Sequence, residues 1–142
     1  MGRYRILDDV ALADCAIGVE GRDLDDLFET AAAALLELMV DPATVDVTVD
    51  RHLALEADAL DLLLYDWLSE LIFLKDRDRL VFPRSAVEIR GIGPFHLAAD
   101  VAGGIIDPER TDRRSDPKAV TLHQFSLERA PDGWRARVVI DI

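Results

Sequence analysis

Two stretches of this chain carry apolar residues at helical spacing, and most of the remaining apolar residues alternate or run as extended segments. The first stretch begins after Asp23 and ends near Asp41-Pro42, and the second follows Asp58. Both Asp23 and Asp58 are predicted N-caps, and Asp26 is placed to close a capping box with Asp23. The two apolar stripes consist of Leu24, Leu27, Phe28, Ala31, Leu35, Leu38 and Met39, and of Leu60, Leu63, Leu64, Trp67, Leu68 and Leu71.

The extended segments outnumber the helices, which limits the possible architectures. They lie before the first helix (residues 4–7 and 13–19), between the helices (45–55), and in four strands after the second helix. Two helices cannot cover both faces of six or seven strands. The sequence therefore predicts an α+β fold in the order β-α-β-α-β-β-β-β. Its strands form an antiparallel sheet, whole or split into two layers, with both helices on one side. No linker or repeat divides the chain, so we expect a single domain over residues 1–142.

The last predicted strand runs to the final residue and carries one acid among apolar side chains. It reads Trp134-Arg-Ala-Arg-Val-Val-Ile-Asp141-Ile142. A strand ending there brings a carboxylate and main-chain oxygens together, and burying them bare would be unfavourable. Oxygen donors of this kind suit hard cations such as calcium, magnesium or manganese. The alternative is that Asp141 points into water from an edge strand.

Asp14 resembles Asp141 because it also interrupts an apolar extended run, between Ala13 and Cys15. If the first and last strands are neighbours, the two acids can share one cation. His123, on the strand predicted to pair with the last one, is a further candidate near Asp141. The alternative is an ordinary histidine in a sheet. The three histidines lack the close spacing of a zinc site.

Composition narrows the functional classes. The net charge of −12 repels phosphate backbones, so direct nucleic-acid binding is not expected. There is no predicted signal peptide or membrane span, and the single Cys15 excludes an intramolecular disulfide, which is typical of a cytoplasmic protein. The stretch from Gly103 to Pro117, closed by Lys118, reads as a long loop that is mobile and functional, or simply solvated.

The chain resembles the archease family along nearly its whole length. The resemblance rests on Leu7, on Asp14 with Gly21 seven residues later, on the opening of the first helix, on a motif within the second helix, and on the strands that follow it. These motifs read Asp23-Leu-Asp-Asp-Leu-Phe28, Tyr65-Asp-Trp-Leu-Ser-Glu-Leu71, Leu80-Val-Phe82, Lys118-Ala-Val-Thr-Leu-His123 and Val138-Val-Ile-Asp141-Ile142.

This resemblance implies a function. Archeases are small cytoplasmic protein cofactors, not enzymes, of the RtcB-type RNA ligase that serves tRNA splicing and RNA repair with GTP and manganese. They promote formation of the ligase–GMP intermediate and multiple turnover. The divalent cation that the resemblance implies is calcium, and magnesium, manganese and zinc are the alternatives. The implied ligands here are Asp14, Asp141 and the carbonyl oxygen of Ile142.

Further functional positions implied by the resemblance are Asp26 and Lys118. The sequence departs from the family where Val10-Ala-Leu-Ala-Asp14 stands in place of the usual Asp-His-Thr-Ala-Asp. Two alternatives to the ligase cofactor stay open. One is a metal-dependent hydrolase that uses Asp14 and Asp141. The other is a protein-interaction or chaperone-like module whose termini are held together by the metal.

Overall fold

The computed structural model describes residues 2–7 and 14–142, and the elements below lie within those ranges. They form seven strands, two α-helices and a short 3-10 turn at Pro42–Thr44. In chain order the elements are β1 (Arg3–Leu7), β2 (Asp14–Gly21), α1 (Leu24–Met39), β3 (Val49–Ala57), α2 (Leu60–Asp78), β4 (Leu80–Gly91), β5 (Phe95–Ile105), β6 (Ala119–Ala130) and β7 (Gly133–Asp141).

These strands form two antiparallel sheets, which confirms the predicted α+β fold and shows that, of the two predicted alternatives, the sheet is split in two. A four-stranded sheet has the order β1-β2-β7-β6, and a three-stranded sheet has the order β3-β5-β4. The first long strand, β2, therefore lies beside the last one, β7, in the middle of the larger sheet. This adjacency was the condition for Asp14 and Asp141 to meet.

The helices pack on one face of each sheet. Helix α1 contacts β2 of the larger sheet and β4 of the smaller, and α2 contacts β3, β4 and β6. The two helices are joined by Trp67, which is 0% exposed and whose indole Nε1–H donates to the carbonyl oxygen of Phe28 at 2.9 Å. Buried residues of both sheets and both helices form one hydrophobic cluster. None of the helices in the described ranges is long and apolar enough to cross a membrane.

The helix starts match the sequence prediction only in part. The Asp23 side chain accepts a hydrogen bond from Asp26 N at 2.8 Å, as an N-cap should. The predicted capping box does not form, because the Asp26 carboxylate accepts from Arg22 N and Gly2 N instead. Asp58 does not cap α2, whose N-cap residue is Ala59 and has no side-chain cap.

Carboxylates of α1 take the place of a neighbouring strand along the edge of β4. Glu29 Oε2 accepts from Val87 N at 2.8 Å, and Asp25 Oδ1 accepts from Ile89 N at 2.9 Å. Residues four apart on a helix match residues two apart on a strand, because both spacings are about 6 to 7 Å. The helix thereby satisfies main-chain donors that an edge strand would otherwise expose.

The connection after β5 is docked on the protein, in contrast to the predicted mobile loop. Gly103 and Gly104, expected to open that loop, continue β5 instead. In residues 106–118, Arg114 N donates to Met39 O at 2.8 Å and Ser115 N donates to Leu38 O at 2.9 Å. The connection thus covers the C-terminal end of α1 and leads directly to Lys118.

Candidate metal centre

Asp14 and Asp141 lie directly opposite one another in the four-stranded sheet. The β2–β7 register pairs Asp14 with Asp141, Cys15 with Ile140 and Ala16 with Val139. Opposed residues of an antiparallel pair have Cα atoms about 4.5 to 5.5 Å apart and side chains on the same face. The two carboxylates that the sequence singled out are therefore neighbours on one sheet face, although 127 positions separate them in the chain.

Both carboxylates point away from the helices. The alternate positions Ile17, Val138 and Ile140 belong to the hydrophobic core, so Asp14 and Asp141 lie on the outer face. Each acid is half-buried, and the next pair along this face, Ala16 and Val139, is 0% exposed. Like charges directly opposite one another on a sheet face are unfavourable unless a cation or a hydrogen-bond donor lies between them.

No cation of the protein relieves this repulsion within the described residues. The ion pairs formed there include neither Asp14 nor Asp141. Lys118 is exposed and adjoins the pair through the main chain, because its N–H donates to the carbonyl oxygen of Asp141 at 2.7 Å. Strand β6 continues this pairing with Ala119 opposite Asp141.

Ile142 follows the acid with its side chain packed on the core, which anchors the main chain at this end of β7. The described residues hold no group of three or more His, Cys, Asp and Glu side chains suited to a metal. An ion bound here would therefore take two carboxylates and main-chain oxygen, such as the Ile142 carbonyl. A donor set of oxygen alone fits calcium, magnesium or manganese better than zinc, which favours nitrogen and sulfur.

A buried lysine, missed by the sequence reasoning, anchors the segment leading into this site. Lys75 in the last turn of α2 is 6% exposed. Its ammonium donates to the carbonyl oxygen of Pro117 at 2.5 Å, and it pairs with Asp116 and with Asp76. Lys75 thus fixes the two residues before Lys118. Its charged surroundings in the sequence are typical of a solvated helix end, so no local signal marked it.

Asp26 lies at the other end of β2 from Asp14. Strand β2 spans Asp14–Gly21, about 23 Å at the usual rise per residue. Burial raises the pKa of Asp26, but hydrogen bonds from Arg22 N and Gly2 N and the charge of Arg22 outweigh it, so the pKa is lowered. The structure gives Asp26 contacts at the start of α1 and does not bring it to the acid pair, and its implied functional role stays a prediction.

His123 is also separate from the acid pair by register. Ala119 is the residue of β6 opposite Asp141, and the pairing is interrupted between Thr121 and Ser126, where Gln124 has φ 55°. His123 is exposed within this irregular segment, four residues from Ala119. The other two histidines lie on the three-stranded sheet, where His52 contacts Asp100 at 2.9 Å and His96 contacts Glu56 at 3.3 Å. The register thus brings none of the three to the acid pair.

The departure from the family motif upstream of Asp14 lies outside the described residues. The Asp8-Asp9 pair and the stretch Val10-Ala11-Leu12-Ala13 belong to that part of the chain.

Comparison with known proteins gives a consistent family relationship. The model of the Archease protein family matches residues 4–142. The chain is 37% identical to Protein archease of Methanosarcina acetivorans, covering 99% of this chain and 96% of the relative. It is 36% identical to Protein archease of Pyrococcus furiosus, covering 92% and 93% respectively.

Two solved structures share the fold. A solution structure of protein 1598 from Methanobacterium thermoautotrophicum is similar with a TM-score of 0.80 and 30% identity, covering 98% of each chain. The crystal structure of an archease from Thermotoga maritima, described as a possible chaperone, has a TM-score of 0.64 at 19% identity. It covers 97% of this chain and 98% of the other, and at that identity it supports the fold alone.

Proposed function

The chain belongs to the archease family, and from this membership we propose that it is a metal-binding protein cofactor that activates an RtcB-type RNA ligase. The proposed effect is faster formation of the ligase–GMP intermediate and multiple turnover, in cytoplasmic tRNA splicing or RNA repair. The observation that carries the proposal is the pairing of Asp14 with Asp141 across β2 and β7. This pairing supports the proposal because it puts two potential oxygen ligands on the same sheet face.

In this proposal Asp14, Asp141 and the Ile142 carbonyl hold a divalent cation. Calcium is favoured by family resemblance, and the oxygen donors also suit magnesium or manganese. When bound, the cation supplies a positive charge that neutralises the opposed carboxylates. Lys118 lies next to this charge through its hydrogen bond to Asp141 O, and it would face phosphate or a ligase carboxylate. The acidic surface, at net −12, favours docking on a basic rim of the ligase over direct RNA binding.

Single-turnover guanylylation of the ligase tests the proposal. Asp14→Asn and Asp141→Asn keep the shape of each side chain and remove its charge, so stimulation should fall by at least about tenfold. Asp50→Asn, an exposed acid on the three-stranded sheet, is the matched control and should stimulate like the unaltered protein. Full stimulation by both site variants, with folding verified by circular dichroism, would remove the acid pair from the mechanism.

We propose an accessory role rather than catalysis by this chain. A metal-dependent hydrolase would need a general base beside the metal, most often a histidine. In the described part of the chain, the register brings no histidine to the acid pair. Turnover of generic phosphodiester or ester substrates by the purified protein, lost in Asp141→Asn, would contradict the accessory role.

A purely structural cation is the second candidate, favoured by the position of the acid pair between the first long strand and the last. In that case the cation stabilises a protein-interaction or chaperone-like module. Chelation would then lower the unfolding temperature and leave ligase stimulation intact at low temperature. Loss of stimulation before any loss of structure favours the ligase-directed role.

A further inference from the structure

The outer face of the four-stranded sheet carries, besides the acid pair, an arginine groove that the proposed function does not use. The register aligns Arg5, Gly18 and Arg137 in one row across β1, β2 and β7, and Arg3, Glu20 and Arg135 in the next. These six residues line an open groove of about 420 Å³. A concentration of four arginines on one face is unexpected in a chain whose 28 acids outnumber its 16 basic residues.

One row of the groove is electrically balanced by the protein itself. Arg3 Nε contacts Glu20 Oε2 at 2.7 Å, and Arg135 Nε contacts Glu128 Oε1, on β6, at 2.7 Å. The alternating charges of this row leave it close to neutral. Its arginines have carboxylate partners and need no ligand.

The neighbouring row is not balanced. Within residues 2–7 and 14–142, Arg5 makes no ion pair or hydrogen bond, and the contact of Arg137 is with a neutral amide, Gln124 Oε1, at 2.9 Å. Arg137 is half-buried, and guanidinium groups remain charged at all physiological pH values. Within the described ranges, two positive charges therefore face the same groove with only Gly18 between them in their row.

Gly18 forms the floor of the space between these arginines. It lies between Arg5 and Arg137, whose Cα atoms are two strand spacings, about 10 Å, apart. The Arg5 side chain crosses over Gly18, since a Cβ placed there would lie 3.7 Å from Arg5 Cγ and 3.8 Å from Arg5 Nε. The Arg5 side chain therefore lies against the sheet above Gly18, on the side of Arg5 that faces β7.

We propose that Arg5 and Arg137 bind a phosphate monoester or inorganic phosphate across Gly18. Two guanidinium forks on opposite sides of one centre suit a tetrahedral dianion, whose oxygens accept from both forks. A carboxylate has one negative charge and two coplanar oxygens, so it satisfies one fork. The groove lies on the same face as the acid pair and four residues along β7 from Asp141, about 13 Å away.

Backbone amide chemical shifts, followed by NMR at constant ionic strength, test this proposal in the intact chain. The probes are inorganic phosphate, adenosine 5′-monophosphate, adenosine and acetate. Phosphate or the monophosphate should shift the amides of Arg5, Gly18 and Arg137 saturably, with a Kd on the order of 1 mM or tighter. Similar Kd values for the two would indicate a site for the oxyanion alone, and tighter binding of the monophosphate would indicate a nucleotide ligand.

Charge-removing variants supply the matched comparison. Arg5→Gln combined with Arg137→Gln should weaken phosphate binding by at least about tenfold, because both forks are lost. Arg3→Gln removes an arginine of the balanced row and should change the Kd by less than about twofold. No saturable shifts in the unaltered protein, equal binding of acetate, or equal loss in Arg3→Gln would overturn the proposal. None of these results bears on the acid pair, so the two proposals fail separately.

Discussion

At the residue scale, two adjacent aspartates in the first turn of α1 show how position outweighs residue type. Burial raises the pKa of Asp25, and the hydrogen bond from Ile89 N offsets this only in part. Burial also acts on Asp26, but main-chain donors and Arg22 lower its pKa overall. The ionised form of Asp26 therefore stabilises the fold, whereas the ionised form of Asp25 destabilises it. The sequence Asp25-Asp26 carries no sign of this difference.

We expect Asp25 and Asp26 to have opposite effects on how stability depends on pH. Asp26→Asn turns an amide group towards main-chain donors and should lower the free energy of unfolding by roughly 1 to 3 kcal/mol near neutral pH. Because the folded-state pKa of Asp26 is lowered, its contribution is present above the ordinary value of 3.8 and is lost as the pH falls through the folded-state value. The stabilities of this variant and the unaltered protein should therefore converge in acid, as measured by urea unfolding.

Asp25→Asn is the matched comparison. It keeps an acceptor for Ile89 N and removes a poorly solvated charge, so it should change stability by less than about 0.5 kcal/mol near neutral pH. Because the pKa of Asp25 is raised, the unaltered protein should gain stability relative to this variant as the pH falls towards 3.8. Equal pH profiles for the two variants would contradict this account.

At the element scale, the connection in residues 106–118 is held by a few specific contacts rather than by secondary structure. Lys75 fixes Asp116 and Pro117, and main-chain hydrogen bonds join Arg114 and Ser115 to the end of α1. This docking brings Lys118 to Asp141. The buried ammonium is therefore connected to the candidate metal centre through the main chain, without touching the acid pair.

Lys75→Met should loosen this connection. It leaves Pro117 O and Asp116 without their cation and should lower the free energy of unfolding by about 3 kcal/mol. Hydrogen exchange at the amides of Arg114, Ser115 and Lys118 should accelerate more than exchange in α1. Lys118→Met, at an exposed position, is the control and should cost less than about 0.5 kcal/mol. Unchanged exchange in Lys75→Met would show that the contacts to α1 hold the connection alone.

The main chains of β4 and β5 approach each other closely at Gly103. A Cβ at Gly103 would overlap the carbonyl oxygen of Val81, so β5 and β4 pack at a distance that only glycine permits. Gly103→Ala should destabilise the chain by roughly 2 to 4 kcal/mol, measured by thermal unfolding. Gly18→Ala should be tolerated, because the added Cβ would make an ordinary 3.7 Å contact. Equal unfolding temperatures for the two variants would argue against the close approach.

At the scale of the whole molecule, both helices pack against both sheets, and the adjacency of β2 and β7 brings the two ends of the chain together. A cation on Asp14 and Asp141 would join the two central strands of the four-stranded sheet at one of their ends. An ion that binds the folded state and not the unfolded state stabilises the fold by RT ln(1 + [L]/Kd). This is about 2.7 kcal/mol when the free ion is at a hundredfold excess over Kd.

Calcium or manganese should therefore raise the unfolding temperature of the metal-free protein, and chelation should reverse the change. Asp141→Asn should abolish the response, whereas Asp50→Asn should retain it. Differential scanning calorimetry provides the measurement. An equal response in Asp141→Asn would place the ion elsewhere.

The sequence alone determined the properties that are encoded locally. Apolar spacing determined the type and order of the elements, and the number of strands to within one, because helices and strands repeat every 3.6 and 2 residues whatever they pack against. An acid within an apolar strand likewise singled out Asp14 and Asp141. Local pattern misplaced Gly103 and Gly104, since each glycine closely approaches a main-chain oxygen more than 20 residues away, Val81 O and Asp46 O respectively.

Only the tertiary structure decided which of these parts meet. The pairing of β2 with β7 joins segments from opposite ends of the chain, and no local period specifies such a partner. The same holds for Lys75, which is buried because residues 116–117 return over the end of α2, and for Asp26, which lies at the far end of β2 from the acid pair. Strand order and register depend on burying one shared core, so contacts between distant residues are a property of the folded whole.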